Sequence, residues 1–468
     1  MAAVLELGDA NPYTARAYRR AAETIRSAQH PVEALVRAGR TRELRGIGAS
    51  IDGKLRELVE TGRIAELEEL ERELAPDLVG LGRYLGLTAQ RSVSIARALG
   101  VRTADELREA AAEGRLTDVP GIGPKMEAQI VEALDREGEP RPRRGLLLNR
   151  AIELVGGIAA VLGGEPAGDV RRWRDSCETL AVVCTADDAA PLLARFGELP
   201  QIVAVIEQDG QRSVGVTIEG VPVELVVASS AQFGTELVRA TGAPAYVQAL
   251  EPLPDAPDER TVYERLGIPW CPPELREAPF DGEPPPLVGL DQIRGDLHCH
   301  TTWSDGRFSV EEMARGAIER GYEYLAICDH TPAVGAVQGL TPDDVRRQGE
   351  EIAAANELLA PFRVLRGIEC DILPDGRLDL PDDVLAELDW VQASVHGGQR
   401  MPREKMTRRV EEALRNPYVR CLSHPTGRYI NRRPENAVDL DRIYELAVAG
   451  GVAIEVNALP DRLDLSGA

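Results

Sequence analysis

Apolar side chains recur every three or four positions through residues 12 to 135, as in Ala17, Ala21 and Ile25 or Leu55, Leu58 and Val59, with glycine-bearing breaks between the periodic stretches. This spacing predicts one short helix after another, an all-α segment. From about residue 144 the period changes. An apolar helix over 146–162 precedes the strand-like runs 180–184, 203–206, 213–217 and 223–227, which makes this segment α+β. After Arg294 short apolar runs (295–300, 324–330, 363–373, 390–396, 420–424, 452–457) alternate with helical patterns (309–321, 342–360, 382–388, 403–415, 438–449). Such alternation requires parallel strands with helical crossovers, hence a barrel or a doubly wound sheet. Six strands are counted before Ala468.

The 468 residues are too many for one core and predict about three domains. Residues 252–286 hold 10 of the 32 prolines, which favour extended backbone, so an interdomain linker is expected over 252–293. The net charge of −23 argues against broad attraction to nucleic acid, but it is uneven: residues 1–150 carry 24 Lys+Arg against 24 Asp+Glu, so local basic patches can act there. Seven scattered cysteines without a Cys-x-x-Cys pair are expected to be reduced. No apolar run is long enough to span a membrane and the start lacks an export pattern, so the expectation is a cytoplasmic protein without a membrane partner.

Five of the six histidines, His298, His300, His330, His396 and His424, fall at the carboxyl ends of successive predicted strands, the end that faces the active site in parallel α/β folds. Glu369 holds the same place on the strand between His330 and His396, and Asp305 follows the first pair. His-x-His puts two imidazoles on one face of a strand, because side chains alternate with period two. Imidazole with carboxylate suits zinc, manganese or iron, and a bridging carboxylate suits a multinuclear centre. The plainer reading of each histidine is a hydrogen-bonded structural residue, and His30 is left with it.

The stretches Gly295-Asp-Leu-His-Cys-His-Thr-Thr-Trp-Ser-Asp-Gly306, Ile327-Cys-Asp-His330, Gly367-Ile-Glu369, Ser394-Val-His396 and Ser423-His-Pro-Thr-Gly-Arg428 resemble the polymerase-and-histidinol-phosphatase (PHP) family. The resemblance implies a distorted (β/α)7 barrel with up to three divalent ions, Mn²⁺ or Zn²⁺, that hydrolyses phosphoesters. By motif, His298, His300 and Glu369 would hold one ion, Glu369, His396 and His424 a second, and Asp305 with His330 a third, while Arg428 would clamp phosphate. The family's closing Asp-x-His on a seventh strand has no counterpart here, so the barrel is expected to be truncated after strand six.

Leu44-Arg-Gly-Ile-Gly48 and Val119-Pro-Gly-Ile-Gly123 share a Gly-Ile-Gly turn between helices, with a weaker copy at Gly80-Leu-Gly82. They resemble helix-hairpin-helix motifs, in which main-chain N–H groups meet a DNA phosphate without reading sequence. Gly46, Gly48, Lys54, Gly121, Gly123 and Lys125 are the expected DNA contacts. The chain has 51 arginines and three lysines, and Lys54 and Lys125 both follow these turns. The first 135 residues resemble the lyase and helix-hairpin-helix region of family X DNA polymerases, with Asn11 to Arg20 matching the opening helix. Lys54 falls where that family's lyase nucleophile lies, against the plainer reading of a surface lysine. Residues 144–251 match the family's palm in outline only. Anchored on Glu178-Thr179, the two Mg²⁺-binding carboxylate positions would be Val182 and Cys184, which leaves Glu224 alone.

The expected organisation is thus multidomain: a lyase-like helical domain (1–68), a helix-hairpin-helix fingers-like region (69–143), a degenerate nucleotidyltransferase-like palm (144–251), the linker (252–293) and a PHP domain (294–468). The expected function is a metal-dependent phosphoesterase tethered to a DNA-binding module, a 3′-5′ exonuclease or 3′-end-processing enzyme of DNA repair without polymerase activity, acting as a monomer. The alternatives are a small-molecule phosphatase of the histidinol-phosphate type and a non-catalytic DNA-end scaffold.

Overall fold

The computed structural model describes residues 32–44, 46–67, 87, 89–101, 104–135, 145–217, 219–279, 282–335 and 337–466, together with Thr14, Ala17, Tyr18, Ala21, Thr24, Ile25 and Glu69. The chain divides into two compact units, Met1–Pro284 and Pro285–Ala468. Gly80-Leu-Gly82 and most of Asn11 to Arg20 lie outside the described residues. Among the described residues no helix is long and apolar enough to cross a membrane.

Among the described residues the first unit includes helices α1 (Val32–Arg37), α2 (Ala49–Thr61), α3 (Ala89–Leu99), α4 (Ala104–Ala112) and α5 (Pro124–Asp135). Both Gly-Ile-Gly turns take one shape. Gly46 has φ +87° and Gly121 φ +86°, left-handed values that a side chain would strain. The isoleucines between the glycines, Ile47 and Ile122, are buried in separate small cores. Helix α2 starts at Gly48 and α5 directly after Gly123, so each turn delivers a helix amino terminus to the surface.

The α+β part holds β1 (Leu146–Leu147), α6 (Leu148–Leu162), β2 (Glu165–Gly168), β3 (Ser176–Cys177), β4 (Leu180–Thr185), α7 (Ala190–Gly197), β5 (Ile202–Gln208), β6 (Arg212–Thr217), β7 (Pro222–Ala228), α8 (Phe233–Thr241), α9 (Pro244–Leu250) and α10 (Glu259–Leu266). Five strands form a sheet in the order β2-β4-β7-β6-β5, with only β4 and β7 parallel. The expected linker is largely folded. Leu253, Ala256, Val262, Tyr263 and Cys271 pack with Val238 and Tyr246 in one buried cluster, and Glu259 joins the guanidinium groups of Arg171 and Arg276. Proline limits backbone hydrogen bonding but does not prevent side chains around it from burying apolar area.

The second unit alternates β8 (Gly295–Cys299), α11 (Val310–Glu319), β9 (Tyr324–Ile327), α12 (Pro342–Leu359), β10 (Arg363–Asp371), α13 (Asp382–Leu385), β11 (Trp390–Ser394), α14 (Arg403–Leu414), β12 (Cys421–Leu422), α15 (Leu440–Gly450) and β13 (Ala453–Ile454). The strands form one parallel sheet in chain order, β8 to β13. Capping boxes start two of its helices, Ser309 with Glu312 and Thr341 with Asp344, the latter with Pro342 in the first turn. Residue alternation sorts the two faces. Ile368, Cys370, Val391 and Ala393 pack outward in the main core, while Glu369, Asp371, Gln392 and Ser394 point inward. The sheet curls: the Gln392 side chain on β11 donates to the Leu297 carbonyl on β8 (2.6 Å). All seven cysteines are buried free thiols, three in the first unit and four in the second.

Candidate metal centre

The strand ends of the second unit converge on one carboxylate. Glu369, 1% exposed, reaches all five histidines that the sequence singled out. Its Oε2 lies 3.4 Å from His298 Nε2, 3.6 Å from His300 Nε2 and 2.9 Å from His330 Nδ1. Its Oε1 lies 3.3 Å from His396 Nε2 and 2.9 Å from His424 Nε2. Asp305 Oδ1 stands 3.6 Å from His300 Nδ1 and 3.7 Å from His330 Nε2. Three sets of ligand atoms fall within 4.8 Å of one another: His298, His300 and Glu369; His300, Asp305 and His330; His330, Glu369 and His396. The first is the set expected by motif. The second adds His300 to the expected Asp305 and His330. In the third His330 takes the place expected of His424, which approaches Glu369 from the other side of the basin.

Buried polar atoms without partners are rare in folded proteins. Here they cluster: His298 Nε2, His300 Nδ1, His330 Nδ1, His396 Nδ1, His424 Nδ1 and Glu369 Oε2 all lack a hydrogen bond. Orphaned imidazole nitrogens around orphaned carboxylate oxygens fit divalent cations, which take such lone pairs. The electrostatics agree. Burial alone would disfavour charge on His298, but Glu369 and Glu455 outweigh it and raise its pKa to about 10. Burial and the neighbouring imidazoles push His300 down to about 4. Against its own burial, Glu369 is held well below the usual carboxylate range by His298, His330 and His396. Protons thus do part of the work of a cation, and metal uptake would release them.

Residues outside the predicted set support the basin. Asp329 accepts from Thr301 N (2.8 Å), Gln348 Nε2 (2.6 Å) and the Ser304 hydroxyl, which ties down the loop carrying Asp305. Ser394 Oγ donates to Glu369 (2.5 Å), and Asp371 stands 3.3 Å from His396 Nδ1. Glu455, two residues after the start of the sixth strand, lies 2.6 Å from His298 Nδ1. The signal for Asp371 was its i+2 spacing from Glu369. That for Glu455 was an acid inside the apolar run Val452 to Val456.

Arg428 is placed by contacts with a turn. Its guanidinium donates to the carbonyls of Arg462 (2.9 Å) and Leu463, so it fastens the 459–464 turn. Lys54 is paired with Glu66, which holds its ammonium above the ordinary lysine value, opposite to what a Schiff-base nucleophile needs. The exposed Gly46, Gly48, Gly121, Gly123 and Lys125 are at the two turn surfaces.

The palm-like sheet requires a register correction. In the β4–β7 ladder Ala181, not Val182, lies opposite Glu224, and Thr179 and Ala181 line with Glu224 a cleft of about 790 Å³. Val182 and Cys184 point to the other face, where the Cys184 thiol approaches the Leu162 carbonyl of α6. Neither Thr179 nor Ala181, the residues that share the cleft with Glu224, is a carboxylate. Glu224 itself pairs with Arg212 (3.1 Å).

Residues 1–64 match a helix-hairpin-helix domain family, residues 85–136 a SAM-like helix-hairpin-helix tandem, and residues 296–458 the PHP domain. The chain is 35% identical over 498 aligned positions to the DNA polymerase/3′-5′ exonuclease PolX of Bacillus subtilis, covering 99% of this chain and 87% of that protein. It is 34% identical over 166 residues to a probable phosphatase of Acetivibrio thermocellus and 31% over 167 to one of Caldanaerobacter subterraneus. Each of these matches spans 35% of this chain, and 64% and 61% of the respective phosphatase. With end-to-end similarity to a PolX protein, two helix-hairpin-helix segments and a histidine–carboxylate basin on a parallel sheet, the chain belongs to the PolX family and carries its PHP-type phosphoester hydrolase domain.

Proposed function

We propose that the second unit is a metal-dependent 3′-5′ exonuclease or 3′-end-processing phosphoesterase of DNA repair, fed by a sequence-independent DNA-binding module in the first unit. The observation that carries this reading is the contact of one buried carboxylate, Glu369, with five imidazoles, each of which has one buried ring nitrogen without a hydrogen bond. His298, His300, Asp305, His330, Glu369, His396 and His424 would hold up to three ions, with Mn²⁺ or Zn²⁺ matching the donor types. When bound, such ions supply electrophilic stabilisation of phosphoryl oxygens and activation of water. The residues around them hold the ligands in place: Ser394 fixes Glu369, and the Asp329 network fixes the Asp305 loop. The domain divisions at 68, 143 and 293 belong to the same proposal, with the expected linker of 252–293 shortened to the segment after Glu277, so that 252–277 joins the α+β domain.

DNA binding is assigned to the Gly-Ile-Gly turns, where main-chain N–H groups at the starts of α2 and α5 meet phosphate, with Lys125 adding charge. Covalent linkage to the hydrolase raises the effective concentration of DNA ends at its basin. The palm-like sheet is proposed to be inert in nucleotidyl transfer, because Thr179 and Ala181 occupy the positions beside Glu224 where two metals would need acids. Purified protein given Mn²⁺ should shorten a 5′-labelled oligonucleotide from its 3′ end, with no templated incorporation of dNTPs. Faster turnover of a sugar or amino-alcohol phosphate than of the oligonucleotide would favour the second reading, a small-molecule phosphatase, which the likeness of this unit to probable phosphatases supports.

A further inference from the structure

We propose that Glu455 is a positioning residue of the metal centre, holding His298 and His424 in the attitudes from which they ligate while not ligating itself; the inference rests on the metal-centre reading above. Glu455 directly follows β13, the strand at one end of the six-stranded sheet, and His298 sits on β8 at the other end. Their side chains meet across the curled sheet, with Glu455 Oε1 2.6 Å from His298 Nδ1.

Both oxygens of Glu455 are engaged by the protein. Oε1 also accepts from Asn457 Nδ2 (3.2 Å), and Oε2 accepts from Ser423 Oγ (3.0 Å) and from the main-chain N–H of His424. None of the three convergent ligand sets includes it. A carboxylate facing Nδ1 selects the tautomer that carries its proton there, which leaves Nε2 as the lone-pair nitrogen. That nitrogen is the buried, unpartnered atom of His298, aimed at Glu369. On the other side, His424 has φ +24°, a left-handed value unusual for a residue with a side chain. The bond from its N–H to Glu455 supports that backbone and so the direction of its imidazole. One acid thus orients ligands on the first and fifth strands of the unit.

The test titrates metal-free protein, Glu455→Gln and Glu455→Ala with Co²⁺, reading affinity and the visible ligand-field bands. Glu455→Ala is expected to weaken Co²⁺ binding by about 10- to 100-fold and to shift the bands, a size seen when carboxylates behind metal-bound histidines are removed. Glu455→Gln, which keeps an acceptor oxygen of the same reach, should recover part of both. The assignment is overturned if Glu455→Ala keeps wild-type affinity and spectrum, or if glutamine recovers none of the loss. Should the alanine variant fail to fold, the isosteric glutamine variant decides through its bands: a wild-type spectrum with wild-type affinity overturns the proposal. Absence of Co²⁺ uptake by the wild-type protein would instead remove the metal-centre reading.

Discussion

The two units each present a depression lined with charged side chains, and the charges are disposed in opposite ways. In the palm-like cleft the charges answer one another. Arg212 pairs with Glu224 and Glu236, Arg172 with Asp169 and Glu277, and Arg239 with Glu236 and Glu251. In the histidine basin the polar atoms outnumber their partners, and five ring nitrogens are buried without one. Self-satisfied charge stabilises a fold and asks for no ligand, whereas orphaned donors and acceptors cost free energy unless something else binds them. Charge content alone does not distinguish the two depressions; the completeness of its pairing does.

The sharpest way to break this contrast is to remove the hub. Glu369→Ala should abolish metal-dependent hydrolysis while DNA affinity, measured by fluorescence anisotropy, stays within about twofold, since the helix-hairpin-helix turns carry binding by phosphate contact. Parallel loss of both would join the two units functionally and end the comparison. Chelation should likewise silence the hydrolase, with activity returning on addition of Mn²⁺, and calorimetry should show a lowered melting temperature for the second unit alone.

A disturbance of the buried charge pairing in the first unit should be felt as stability instead of activity. Arg276 is fully buried against Glu259, and removing one partner of a buried ion pair typically costs about 3–5 kcal/mol. Glu259→Gln should therefore lower the melting transition of the first unit and leave hydrolysis by the second unchanged. Burial would raise the Glu259 carboxyl, but Arg171 and Arg276 outweigh it and hold its pKa below the ordinary value. Such a group adds stability above the unfolded pKa of about 4.3, and the contribution is lost as pH falls through its lower folded value. Acid melting of the first unit as pH falls below about 4.3 should flatten in Glu259→Gln. The smallest effects belong to the turns. Gly46→Ala and Gly121→Ala impose a left-handed conformation on a residue with Cβ at about 1–2 kcal/mol each, and the double variant should bind DNA more weakly with little change in hydrolysis of a small phosphoester.

The residues of the basin were legible because histidine is rare in this chain and its placement at strand ends repeats. Acids are abundant, so Glu455 looked like one of many, and its role depends on the first and last strands meeting, which local pattern does not carry. In the sheet that carries Glu224 four of the five strands were found within two residues and β2 was missed, and the anchored acid positions lie outside the lining of the cleft. The two-residue anchor put them on Val182 and Cys184, and a shift of one residue turns a strand's side chains to its other face. Arg428 shows the same limit in another form: a guanidinium near a ligand in sequence can spend its donors on a turn brought up from more than thirty residues away. The prolines of 252–286 were read as a spacer because proline suppresses regular structure, while the apolar residues among them pack into a core.

The buried thiols give each unit an internal clock. Cys177, Cys184 and Cys271 belong to one unit and Cys299, Cys328, Cys370 and Cys421 to the other, and burial pushes all of them above the ordinary cysteine value, Cys177, Cys370 and Cys421 to about 12. In the native protein they are chemically quiet. A maleimide added under native conditions would therefore be consumed only as a unit opens, and peptide mapping of the alkylated sites would time the opening of the DNA-binding half and the hydrolase half separately in the same tube.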